Sequence, residues 1–81
     1  MRTTSRLYKF ALFFDHPIPG FTDKENCHRF KLHCKSLRSA ENYLQKTADI
    51  LSRHEHPTRG VIEYRTQKGL QTREIVFSNA D

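Results

Sequence analysis

Cys27-His28 and His33-Cys34 bracket one eight-residue run, and His54-Glu55-His56 follows downstream. Thiols and imidazoles of this kind bind zinc or carry nucleophilic catalysis. Their spacing argues against both. Neither a C-x2-C nor an H-x3-H unit occurs. Along an extended chain neighbouring side chains point to opposite faces, so Cys27 cannot use His28 as its base, and His33 and Cys34 cannot share a metal. His54 and His56 belong at a helix end, where the macrodipole favours a cation. With only Gly20, Gly60 and Gly69 available, no glycine-rich loop cradles a phosphate. The expectation is a chain with no enzymatic activity, no metal and no cofactor.

What remains is charge arranged by strand alternation. In Cys27–Cys34 one face takes Arg29, Lys31 and His33, and the other takes Phe30, Leu32 and Cys34. The same rule places Lys9, Ala11 and Phe13 together in the first strand, and Arg65 on the matching face of the third. Lys68 follows in a turn. Cations beside an exposed aromatic ring suit single-stranded nucleic acid, because the charges follow phosphates and the ring stacks on a base. The candidate binding residues are therefore Lys9, Phe13, Arg29, Lys31, His33, Arg65 and Lys68. The competing reading is that charge on an edge strand only prevents edge-to-edge aggregation.

The balance of the chain agrees with a polyanionic partner. Fourteen Lys and Arg against nine Asp and Glu give a net charge of +5 over 81 residues, and the pI is near 9.6. Such an excess attracts polyanions at long range and bears on partners rather than fold. Mean hydropathy is −0.78, yet nine aromatic residues are too many for a disordered chain. No apolar run approaches the roughly 20 residues that cross a bilayer. Met1-Arg2-Thr3-Thr4-Ser5-Arg6 lacks the apolar core of a secretory signal, so cytoplasmic residence without membrane contact is expected. Cys27 and Cys34 would stand about 23 Å apart along a strand, beyond the roughly 4.4–6.8 Å reach of a disulfide, and read as reduced thiols.

These residues need a scaffold, and 81 residues allow one small domain. Arg6–Phe14 is apolar on both faces and suits an interior strand. Residues 15–26, with Pro17, Pro19 and Gly20, form a long loop whose Ile18 and Phe21 fold back on the core. The second strand is Cys27–Cys34. Ser36 caps a helix in which Leu37, Ala40, Leu44, Ala48 and Leu51 recur at three- and four-residue steps. Tyr43, Thr47 and Ile50 flank that stripe, and Pro57 lies beyond its end.

Val61–Thr66 and Thr72–Ser78 read as a hairpin around Lys68-Gly69. A two-residue turn there pairs Ile62 with Ile75 and Glu63 with Glu74; a three-residue turn pairs Glu63 with Arg73 but sets Ile62 against Glu74. The first register is preferred, with Ile62, Tyr64, Ile75 and Phe77 inward, because a misplaced Ile costs more than two solvated carboxylates. The expected fold is α+β: β-β-α-β-β, an antiparallel four-stranded sheet of order 2-1-3-4 with one amphipathic helix on one face. Residues 1–5 and 79–81 are expected to be flexible.

In layout this succession resembles small phage-encoded anti-CRISPR inhibitors, through His28-Arg29-Phe30-Lys31-Leu32, Ser36-Leu37-Arg38-Ser39-Ala40 and Gly60-Val61-Ile62-Glu63-Tyr64. The resemblance implies a non-enzymatic protein that occupies or mimics part of a nucleoprotein surveillance complex. Phe30 to Leu44 is also similar to the strand-to-helix passage of arm-type DNA-binding domains in phage integrases. Two functions follow as expectations. One is a basic module that engages nucleic acid or a ribonucleoprotein complex through the open sheet face. The other is a protein–protein adaptor or homodimer acting through sheet edges, with charge serving solubility.

Overall fold

A computed structural model describes residues 5–77. Apart from Ser5, the terminal segments expected to be flexible lie outside the described residues, as does Ser78. The elements are β1 (Arg6–Phe13), β2 (Cys27–Cys34), α1 (Leu37–Leu51), β3 (Arg59–Thr66) and β4 (Gly69–Val76). They form an α+β fold with one antiparallel sheet in the order β2-β1-β3-β4. The apolar composition of β1 suits its place: like β3 it is flanked on both sides, and its inner face lies under the helix. β2 and β3 both run antiparallel to β1, so α1 crosses over β1 between two mutually parallel strands.

Alternation sorts β1 into the buried Tyr8, Phe10 and Leu12, with Phe14 just beyond, and the outward Leu7, Lys9, Ala11 and Phe13. The helix lays Ala40, Leu44 and Ala48 over the inner face, and Ile62 completes the core. Ser36 caps it as its type predicts, its hydroxyl accepting from the Ser39 N–H at 3.2 Å. Phe10 stacks on Phe30 at 4.9 Å between centroids, and both rings meet Tyr43. Gly60 leaves room for the helix and the chain end: a Cβ there would lie 2.7 Å from a Leu44 methyl and 3.2 Å from the Phe77 ring. Both cysteines are buried free thiols.

The long loop folds back as its apolar residues suggest. Ile18 and Phe21 pack against the core, and Phe21 lies flat on His28 with centroids 3.9 Å apart. Asn26 takes the left-handed conformation (φ 58°) that Asn tolerates well, closing the loop into β2. A second tie is electrostatic. His16 bridges Asp15 and Glu55, the latter 2.9 Å away beyond the helix. The Asp15 hydrogen bond, followed by the field of Glu55, holds the imidazole above its ordinary pKa of 6.5. The same hydrogen bond holds Asp15 below its ordinary 3.8.

A pH dependence follows from these two shifts. The His16 contribution to stability is full below pH 6.5 and is lost as pH rises through the raised folded value. The Asp15 contribution is full above pH 3.8 and is lost on acidification through the lowered one. Denaturant melts of the wild type and His16→Gln should differ most at about pH 5 and converge by about pH 9. An equal difference at both pH values contradicts the bridge.

The terminal hairpin corrects the expected register. The structure pairs Ile62 with Arg73, Glu63 with Thr72 and Thr66 with Gly69, and β4 begins at Gly69 rather than Thr72. The turn is Gln67-Lys68, not Lys68-Gly69. Neither turn residue takes positive φ; that conformation falls on Gly69 (φ 111°). The Thr66 hydroxyl accepts from the Lys68 N–H at 3.1 Å and fixes the bend. Relative to the expected pairing the strand has slipped by two residues, which leaves every side chain on its expected face. Ile75 and Phe77 therefore still pack inward, while Ile62 stands opposite Arg73, whose guanidinium reaches Glu41 of the helix at 2.8 Å.

Candidate nucleic-acid interface

Strand pairing lays out the face that the helix leaves uncovered as rows from β2 to β4. One row is Cys27, Phe13, Arg59, Val76; the next Arg29, Ala11, Val61, Glu74; the third Lys31, Lys9, Glu63, Thr72. In the last, His33 lies opposite Leu7 and Arg65 opposite Leu70. Lys9, Arg29, Lys31, His33 and Arg65 are all exposed on this face, as expected from alternation.

The charge is uneven across it. The β3–β4 half carries its own acids: Arg59 bonds Glu74 at 3.2 Å, and Glu63 stands beside Lys9. The strands of the β1–β2 half carry cations only. Lys9 and Lys31 are direct cross-strand partners, and neither is in an ion pair with the described residues. They border a shallow cavity of about 300 Å³ that also touches Ala11, Arg29 and Glu63. Like charges placed directly opposite in a sheet destabilise it by roughly 0.2–1 kcal/mol.

Three expected site residues are placed less simply. Arg29 is held by two loop carboxylates, through Nε to Asp23 at 3.0 Å and through Nη2 to Glu25. Asp23 also accepts from the backbone N–H groups of Glu25 and Cys27, and these bonds with Arg29 lower its pKa. Phe13 is half-buried, and the Arg59 guanidinium lies 3.9 Å above its ring centroid. It is not a bare stacking platform. Lys68 occupies the β3–β4 turn beside Tyr64, Thr66 and Gln71, so it stands apart from the cationic rows.

The Cys27–His28 pair separates as alternation requires. Cys27 is 1% exposed, on the uncovered face beneath the returning loop, and burial pushes its thiol pKa up. His28 points the other way, with Nδ1 3.1 Å from the Phe21 carbonyl. Among the described residues no three His, Cys, Asp or Glu side chains gather to hold a metal. No helix of these residues is long and apolar enough to cross a membrane.

Comparison with protein-family models, curated proteins and solved structures returns no match.

Proposed function

We propose that this chain is a non-enzymatic binding module. It takes the phosphate backbone of a nucleic acid strand, alone or within a nucleoprotein complex, along the β1–β2 half of its open sheet face. The observation that carries this is the Lys9–Lys31 pair: two exposed ammonium groups set side by side with no acid on either strand of that half-face. Their repulsion is relieved by an anion between them, and phosphodiesters supply such anions at regular intervals. Arg65 adds an exposed cation on β3 in the neighbouring row, two residues beyond Glu63. Arg29 is a reserve cation, transferable from Asp23 and Glu25 to a phosphate. Arg59, spread over Phe13, offers a guanidinium plane on which a base can stack. A phage-type inhibitor of a nucleoprotein complex, suggested by the β-β-α-β-β layout, would work through this surface.

The test is fluorescence anisotropy with labelled single-stranded DNA and RNA across a salt series. Affinity should fall with a log–log slope of about −0.7 per contacted phosphate, hence roughly −1.4 to −2.8 for two to four contacts. Absence of binding at low salt, or binding indifferent to salt, sinks the proposal.

A further inference from the structure

The two edges of the sheet are defended differently. β2 carries Arg29, Lys31 and His33 along its outer strand, the kind of charge that discourages another strand from adding. On the open face β4 carries a single charge, Glu74, and that carboxylate is engaged by Arg59 of β3. β4 is eight residues long, contains no proline, pairs with β3 alone among the described residues, and has an exposed apolar side chain near each end. Leu70 is 54% exposed and Val76 74%. An exposed regular edge with apolar side chains is a template for strand addition.

The spacing of β4 selects what adds. We propose that β4 pairs antiparallel with β4 of a second copy about a two-fold axis at Arg73, making one eight-stranded sheet. A closed two-fold contact must be self-complementary, with each residue facing the mirror of its own position. An axis at Arg73 sets Leu70 on Val76 and Thr72 on Glu74, twice each, so both exposed apolar groups are covered. Moving the axis to Thr72 sets Leu70 on Glu74, and moving it to Glu74 sets the two Glu74 carboxylates on each other. The Arg73 side chains that meet at the axis are each held by Glu41 of their own helix. A two-fold perpendicular to the sheet keeps both helices on one side and both cationic halves at the outer ends. The contact is therefore compatible with the proposed nucleic-acid surface and does not depend on it. A seven-residue edge contact is small, so the association belongs to the weak class.

Mixing Leu70→Cys with Val76→Cys chains under mild oxidation tests the register directly. The mixture should form a disulfide-linked dimer, because these positions face each other across the axis. Each variant alone should not, since its two copies lie about 20 Å apart. Sedimentation at the highest soluble concentration should show self-association of the wild type, lost in Leu70→Lys/Val76→Lys with its circular dichroism unchanged. A monomeric wild type without the mixed cross-link overturns the proposal. So does a dimer that lacks the mixed cross-link, or one that cross-links equally well with a single variant.

Discussion

Replacing Lys9 and Lys31 together with Gln should lower affinity for a single-stranded oligonucleotide by about 100-fold or more at low salt. Each charge-assisted contact is worth about 1.5–3 kcal/mol, and two are lost. The single charge reversal Lys31→Glu separates binding from folding. It converts a repulsive cross-strand pair into an attractive one, so stability should rise by about 0.2–1 kcal/mol. Affinity should nevertheless fall, on the order of 10–100-fold, from the lost contact and the added repulsion. A substitution that damaged the fold would move both in the same direction. Neutralising the loop acids with Asp23→Asn/Glu25→Gln releases Arg29 and should strengthen binding. Anisotropy and thermal melts on the four proteins check the set. Affinities within twofold of wild type for both lysine variants would contradict the assignment.

The second large effect is in the core. Gly60→Ala should destabilise by about 1–3 kcal/mol, because its new methyl needs space that a Leu44 methyl and the Phe77 ring occupy. Leu44 is fully buried, so Leu44→Ala leaves a cavity and should cost about 2–5 kcal/mol. A domain of this size has a total stability of only about 4–12 kcal/mol, so each loss is a large share. Together the two substitutions should cost less than their sum, since truncating Leu44 removes the methyl that a side chain added at Gly60 would strike. Urea melts of the four-protein cycle should give a coupling of about 1 kcal/mol or more. Strict additivity would mean that Phe77, rather than Leu44, sets the limit at Gly60.

The parts of the fold legible in the sequence were those set by periodicity. β1 is apolar on both sides, β2 alternates, and the helix repeats at three- and four-residue steps after a capping serine; each predicted its place. The turn of the last hairpin was less legible. Gly69 was expected inside the turn, where positive φ is usual, yet the chain turns at Gln67-Lys68 and uses Gly69 one step later. A slip of two residues cannot be detected from face patterning, because the side-chain period is itself two. Arg59 could have been found: it shares parity with Val61, Glu63 and Arg65, so extending β3 backward by two residues puts it on the open face. Its stacking on Phe13 depends on the β1–β3 register, which composition does not encode. The capture of Arg29 by Asp23 and Glu25 depends on the path of the thirteen-residue connection 14–26, where no period operates.

Backbone amide shifts of the labelled protein, followed during titration with a short single-stranded oligonucleotide, locate the binding face. The largest changes should fall on Lys9, Ala11, Arg29 and Lys31, while Tyr43 and Ile50 on the helix stay still. Changes centred on the helix, or none at low salt, would contradict the proposed interface.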